Sequence, residues 1–256
     1  MALIGMAIFS TEENGKDEYL AKTLKSLFKT VNFNRHRLML SVNAKTTKTE
    51  HLIKIYSDII SEVIYNDHNL GTAEAINKIW RNRWPTEHAV KMDDDIVIYN
   101  EGWLDDLEMV ANWGNNIGQV GLKRKDCIEH PSRIDFYKSS LEFLPQHPGG
   151  KWIVIEKANH IMGSCVLHSS NLLDKIGYLW QPGLYGFDDS FMSLRSKLAG
   201  YSNVFAPHIE IDHIDPGQTP YQKWKEGQAG EKWEAYQSNV KAFSNGIRPL
   251  YYNPFA

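Results

Sequence analysis

The order of segments along this 256-residue chain predicts an α/β protein with a mainly parallel central sheet covered by helices on both faces. Three observations carry the prediction. Strand-like and helix-like stretches alternate through residues 3–122, the rhythm of successive β–α units. The predicted strands of that half end in polar residues: Ser10-Thr11-Glu12, Asn43, Asn66-Asp67 and Asp93-Asp94-Asp95. Parallel strands gather such ends at one edge of the sheet, where ligands bind. The length also suffices for one large domain with a real core, or two small ones.

Each element has its own warrant. Residues 3–9 form an apolar first strand. Leu20, Leu24, Leu27 and Phe28 lie at helical spacing, which predicts a helix over 17–30. A strand follows at 37–42, then a helix at 51–60 with Leu52, Ile55, Ile59 and Ile60 on one side. A short strand at 62–65 and a helix at 71–83 precede the strand that ends in the aspartates. A helix at 101–113 and a strand at 117–122 close the first half. Residues 123–150 are polar, hold Pro131, Pro145, Pro148 and the Gly149-Gly150 pair, and predict a long irregular segment. Loops of that length are usually functional or mobile. Strands at 152–155 and 161–167, a short helix at 169–176, a helix at 188–198 and a strand at 204–214 come next. The last forty residues read as a polar helix followed by an aromatic tail.

Composition narrows the class. A net charge of −3 argues against a dedicated nucleic-acid binder. Two cysteines, Cys127 and Cys165, make no metal-spaced pair and suit a reducing compartment. The apolar N-terminus lacks a basic leader and meets Glu12 and Glu13 at once, so it reads as a core strand rather than a signal peptide. No run approaches the roughly 18 apolar residues that span a bilayer. The expectation is a soluble, cytoplasmic protein. Eight tryptophans and twelve tyrosines could stack on sugar rings or simply fill the core.

Three constellations could carry chemistry. Ala89, Val90 and Met92 lead into the aspartate triplet, and strand alternation would point Asp93 and Asp95 one way and Asp94 the other. Two such carboxylates can hold Mg²⁺ or Mn²⁺, whose main use in α/β enzymes is to grip phosphate oxygens. The plainer reading is an acidic turn that caps backbone groups. There is no glycine-rich phosphate loop, so a bound nucleotide would need a metal to neutralise its phosphates. Asp188 and Asp189 stand at a predicted helix start, where aspartate is a favoured cap. One could cap and leave the other as a general base, beside a loop with Trp180, Gly183, Tyr185 and Gly186 where a sugar could sit. His213 could complete a site of two carboxylates and one imidazole, or be a core histidine in line with Ile209 and Ile211.

Together these residues resemble the GT-A glycosyltransferases, above all glycosyltransferase family 2. The segment from Asn69 through Gly71 and Ala73 to Asn77 resembles that family's Asn-x-Gly-x-Ala helix start. Asp93-Asp94-Asp95 is similar to its Asp-x-Asp motif, and Gly163 followed by 173–177 to its glycine strand and next helix. Gly186 through Asp188, Asp189, Arg195 and Gly200-Tyr201 resembles its Gly-x-Glu-Asp stretch, and His213 its late histidine. The likeness covers about residues 3–215. It implies the GT-A fold over 1–216, with a nucleotide-binding half at 1–122 and an acceptor-side half at 123–216, and a helix and aromatic tail at 217–256. It further implies transfer of one sugar from a nucleotide-diphosphate sugar (UDP- or GDP-linked) to a saccharide or lipid-linked saccharide hydroxyl, with inversion and with Mn²⁺ or Mg²⁺. On that reading Asp93, Asp95 and His213 hold the metal. Asp189, with Asp188 beside it, is the catalytic base. Ser10, Glu12, Asn43, Asn69, Gly71, Asp93, Asp94 and Gly163 meet the donor. A role in capsule or lipopolysaccharide synthesis is what the resemblance suggests.

The departures are specific. The family's Glu-Asp pair is Asp188-Asp189, its next acidic position is Phe191, and its Asp-Asp-Gly-Ser is 43–46 here, beginning at Asn43. The Gln-x-x-Arg-Trp motif of processive synthases is missing, which argues for adding one sugar. The rivals are a sugar nucleotidyltransferase and a non-catalytic nucleotide-sugar or carbohydrate binder of the same fold. The aromatic tail could cap the acceptor site, touch a membrane surface, mediate oligomerisation or simply pack.

Overall fold

Apolar side chains alternate along β1 (Ala2–Phe9), with Ile4, Met6 and Ile8 entering one core and Leu3 the other. The same alternation puts Leu38, Leu40 and Val42 of β2 (Arg37–Ala44) on the first side and Met39 on the second. Strands buried on both faces need helices on both faces. On the first side lie α1 (Asp17–Thr30), α2 (Thr47–Ile55) and α4 (Trp103–Ala111). On the second lie α3 (Gly71–Trp80), α5 (Ser170–Ile176) and α6 (Asp188–Leu198). The computed structural model describes residues 1–113, 116–125, 139–144, 153–215, 227 and 232–256.

The remaining strands are β3 (Ile60–Tyr65), β4 (His88–Met92), β5 (Ile96–Ile98), β6 (Ile117–Arg124), β7 (Ser139–Leu144), β8 (Ile153–Ala158), β9 (Cys165–His168) and β10 (Ser202–His213). They form one sheet in the order β3-β2-β1-β4-β9-β6-β10-β8-β7, with β5 on β10. β3, β2, β1 and β4 are parallel, as expected of the first half. The second half is mixed. β6 and β10 run parallel, while β9 lies antiparallel between β4 and β6, and β7, β8 and β5 pair antiparallel.

Several boundaries differ from the sequence expectation for local reasons. The helix expected at 51–60 spans Thr47–Ile55, because Thr46 caps it reciprocally with Thr49. Ile60 instead opens β3. The segment expected to be irregular contains β7, paired with β8 along its length; the rest of that expectation falls at 126–138 and 145–150, outside the described residues. The strand expected at 161–167 is confined to β9, and β5 had no counterpart in the reading. The helix of the C-terminal segment is α7 (Trp233–Ser244). No helix among the described residues is long and apolar enough to cross a membrane.

Candidate active site

A cavity of about 400 Å³ opens at the carboxyl edge of the sheet. Its floor comes from the ends of β1, β2, β4, β6 and β10, through Phe9, Asn43, Met92, Arg124 and His213. Since β9 is antiparallel, it begins at that same edge, and Gly163 and Ser164, which lead into it, line the cavity. The start of α6 and residues 184–187 also line it. Six aspartates line the cavity: Asp93, Asp94, Asp95, Asp188, Asp189 and Asp215. Two buried lysines divide most of that charge between them.

Lys16, at the entry to α1, donates to Asp95 Oδ2 at 2.7 Å and lies 3.0 Å from Asp215 Oδ2 and 3.7 Å from Asp94 Oδ1. Burial disfavours its charge, yet the three carboxylates outweigh burial and hold its pKa well above the usual lysine range. The expected alternation within the triplet does not occur. Residues 94 and 95 form a turn between β4 and β5, so Asp94 and Asp95 both reach Lys16 while Asp93 departs. Strand alternation applies only while the backbone stays extended. The turn is pinned by Asp93 N–H to the Ser164 carbonyl, Thr23 Oγ1 to the Asp94 carbonyl and Ile214 N–H to the Asp95 carbonyl.

Lys91, two residues before Asp93, is on the face of β4 that packs toward α3 and α6. It donates to the Gly163 carbonyl at 2.6 Å and to Asp93 Oδ1 at 3.1 Å, and lies 3.5 Å from Asp188 Oδ2. Its pKa is held high: burial opposes the charge, but Asp93, Asp188 and Asp189 prevail. Burial raises the Asp188 pKa, and Lys91 works against that rise. Neither aspartate caps α6, whose N-cap is Phe187. Asp189 Oδ2 accepts the Gly163 N–H at 3.1 Å, and its Oδ1 accepts the Ser190 N–H at 2.7 Å. A side chain at Gly163 would strike Lys91 Nζ and Asp189 Cβ, which explains the glycine there.

The cavity gathers most of the residues singled out from sequence. Asp93, Asp94, Asp95, Asp188, Asp189, His213, Asn43, Asn69, Gly71 and Gly163 all line it. Ser10 and Glu12 do not: Ser10 is buried with its N–H on the Ala44 carbonyl, and Glu12 is exposed. Asn43 and Asn69 organise backbone. Asn43 Oδ1 accepts the Leu70 N–H, its Nδ2 donates to the Gly71 carbonyl, and Asn69 Oδ1 accepts the Gly71 N–H. Arg195 is structural, fully buried and donating to the carbonyls of Ile176, Tyr178 and Leu250. Sequence reasoning missed Lys16, Lys91 and the part played by Asp215. A lysine inside an otherwise apolar strand was the available signal for Lys91; Lys16 carried none.

The donor atoms expected to hold a metal divide into a pair and an outlier. Asp95 Oδ1 lies 3.6 Å from His213 Nε2, a gap one divalent cation can bridge at ligand distances of about 2.0–2.2 Å. The pairing of Ile96 in β5 with His213 in β10 brings the two together. Asp93 stands apart on Lys91. Among the described residues the three-membered cluster of potential ligands lies elsewhere, at His36, Asp105 and Glu108. There Arg35 already pairs with both acids. The pair Asp95 and His213 therefore fits a cation, and an acidic cavity suits one.

This sheet order, with its cavity at the carboxyl edge, is the GT-A fold. The chain is similar to the mannosyltransferase PcManGT of Pyrobaculum calidifontis, solved with GDP-Man and Mn²⁺, at TM-score 0.65 and 14% identity over 87% of this chain and 59% of that one. It is similar to S. aureus TarS 1–349 at TM-score 0.56 and 14% identity, covering 85% of this chain and 61% of that one. GalNAc-T7, solved with UDP, GalNAc and Mn²⁺, matches at TM-score 0.59 and 12% identity over 84% of this chain and 44% of that one. The chain thus spans less than two thirds of each. No family model matches the sequence, and no curated protein matches it.

Proposed function

We propose that this protein is a glycosyltransferase that moves one sugar from a nucleotide-diphosphate sugar to a hydroxyl of a saccharide or lipid-linked saccharide, with inversion. The observation that carries the proposal is the gathering of two acidic groups in one cavity of the GT-A fold. Asp94 and Asp95 gather on Lys16, while Asp93 and Asp188 share Lys91 with Asp189 beside them. Structural neighbours solved with GDP-Man and Mn²⁺ or with UDP, GalNAc and Mn²⁺ support a nucleotide-sugar donor and a metal.

Residues 1–122 supply the donor half and 123–216 the acceptor half, with 217–256 as an extension. Asp95 and His213 would hold a divalent cation, which when bound neutralises charge on the departing diphosphate. Lys16 pairs with Asp94 and Asp95 and fixes them in place. Asn43, Asn69 and Gly71 shape the nucleoside side through the turn that starts α3. Asp189 takes the proton of the acceptor hydroxyl as that oxygen attacks the anomeric carbon from the face opposite the leaving group. Its carboxylate is oriented by the Gly163 and Ser190 N–H groups, and lone pairs remain for the hydroxyl. Lys91 pairs with both Asp93 and Asp188 and holds them beside Asp189.

The test is Asp189→Asn with a panel of UDP-, GDP- and CMP-sugars and Mn²⁺. Transfer should vanish while the thermal shift induced by the donor survives. Near-normal turnover would refute the base assignment. Release of pyrophosphate from a sugar phosphate and a nucleoside triphosphate would instead identify a nucleotidyltransferase.

A further inference from the structure

The helix that bears Asp188 and Asp189 is covered by α7 from the C-terminal segment, and aromatic rings form the contact. Phe191 meets Tyr236 at 5.3 Å and Phe243 at 5.8 Å between centroids, and Phe243 meets Trp180 at 5.8 Å. These rings account for the docking of α7. A second aromatic series continues beyond it. Phe187 stacks on Tyr236 at 4.4 Å and 20°, and Tyr236 stacks on Trp233 at 5.2 Å and 29°. Phe187 lines the cavity directly before the two aspartates, and Trp233, at the far end, is 51% exposed. Phe187 and Trp233 are themselves 6.1 Å apart and tilted by 49°, so the three rings form a compact cluster between the cavity wall and the surface.

Two features mark this arrangement as more than packing. Phe187 occupies the N-cap of α6 with φ +67°, a left-handed conformation that costs an L-residue about 1–2 kcal/mol. Serine or aspartate would normally stand at that position to bond the helix N–H groups. Strain of this kind clusters at functional sites. In addition, the Lys232 side chain lies so close to Gly183 that a side chain there would strike it. The first turn of α7 and residues 183–187 thus adjoin and form a continuous outer wall.

A pyranose ring has an apolar face of C–H groups and a polar rim of hydroxyls. The stacked rings offer an apolar surface, while His160, Asp188 and Asp189 beside them offer polar partners. His160 Nε2 lies 3.6 Å from Asp189 Oδ2. Phe187 and Trp233, 6.1 Å apart between centroids, give room for two successive sugar units. We propose that Phe187, Tyr236 and Trp233 form an acceptor subsite for the end of an oligosaccharide, with the terminal sugar against Phe187 and the penultimate sugar on Trp233. The inference rests on the transferase reading and adds to it the class of acceptor, a glycan of at least two units.

Saturation-transfer NMR on the full chain tests it, with maltose, cellobiose, lactose and chitobiose against the methyl glycosides of their terminal sugars. At least one disaccharide should bind about fivefold tighter than its monosaccharide, a gain of the size expected from one aromatic contact. Trp233→Ala should abolish that gain, and Trp233→Phe should keep most of it. Thermal unfolding of both variants checks that they remain folded. Disaccharide binding left within about twofold by Trp233→Ala would overturn the subsite. So would no disaccharide binding by a protein that still binds a UDP- or GDP-sugar, and the transferase reading would stand. Loss of Trp233-dependent binding to phospholipid vesicles, with no effect on saccharides, would likewise overturn it. Disaccharide binding without any nucleotide-sugar binding would leave the subsite and sink the transferase reading.

Discussion

A lysine ammonium with three carboxylates and almost no solvent is held by its partners, and removing it strands charge. Lys16→Met would leave Asp94, Asp95 and Asp215 without their shared counter-ion while all three stay buried. Breaking a buried ion cluster at one partner costs about 3–5 kcal/mol. Urea denaturation should show a loss of that order, and a companion Asp94→Asn should recover part of it; additive losses would mean the two do not interact. A histidine on the neighbouring strand sets a pH dependence. His168 is buried beside Trp80, and burial lowers its pKa to about 3 from an ordinary 6.5. The unfolded chain takes up a proton as pH falls through 6.5, whereas the folded chain does so only near 3. The stability tied to neutral His168 is thus fully present above 6.5 and is lost across the window between the two values. At pH 5 the loss amounts to about 2 kcal/mol. His168→Gln should shrink the stability difference between pH 7 and pH 5 by about that amount, measured by denaturant titration at both values. An unchanged difference would assign the acid sensitivity to other groups.

Among elements, the seam between α3 and the loop before α6 shows how a helix start is completed by tertiary structure. Thr72 N–H donates to the Leu184 carbonyl at 3.3 Å, and Ala73 N–H donates to Gln181 Oε1 at 3.1 Å. Residues 181–184 thereby serve as the cap that Leu70, the N-cap, does not provide. Gly71 makes the approach possible, because a Cβ there would lie 2.3 Å from the Leu184 oxygen and its φ is +75°. Gly71→Ala should therefore push that loop off α3 at a cost of about 2–3 kcal/mol, read as faster proteolysis at 181–186 and a lower melting temperature. Wild-type protease resistance in that variant would show that the loop is not held there. The glycine was legible in sequence as part of the Asn69–Asn77 segment, but its partner was not, since the loop lies more than a hundred residues away. The same limit separates what was readable elsewhere. Periodicity placed α1 and the first strands because burial alternates locally. It shifted α2 because a capping box fixes a helix start independently of its apolar face. It missed β5, and with it the reason Asp95 meets His213, because three residues gain strand character only by pairing with β10. The aspartates were legible as a cluster; how they divide between Lys16 and Lys91 depended on a turn that alternation could not foresee.

Across the whole molecule, the C-terminal residues close the fold by way of one buried guanidinium. Arg195 donates from Nε and Nη2 to the Leu250 carbonyl at 2.8 and 2.6 Å, and from Nη1 to the Tyr178 carbonyl at 2.7 Å. Burial lowers its pKa to about 10, which still leaves it charged at neutral pH. Its charge is thus met by carbonyl dipoles from two segments far apart in the chain. The tail adds backbone pairing, with Tyr252 N–H on the Ile176 carbonyl and Tyr178 N–H on the Tyr252 carbonyl. Gly177 permits this approach, since a Cβ there would lie 2.1 Å from the Tyr252 oxygen. Residues 176–180 lead directly into the loop that caps α3 and lines the cavity, so the tail braces the site from behind. Deleting residues 249–256 removes both bonds from Arg195 to Leu250 and leaves the guanidinium partly unsatisfied. Hydrogen bonds to charged groups contribute about 1.5–3 kcal/mol each, so a loss of about 3 kcal/mol or more is expected. For a domain of this size that lowers the melting temperature by roughly 6–12 °C. A second deletion in an Arg195→Met background separates the clamp from general packing. If Arg195 is the link, the deletion should cost distinctly less there than in the wild-type chain. Equal costs in the two backgrounds would show that the tail acts through its other contacts, and that the guanidinium serves only residues 176–178.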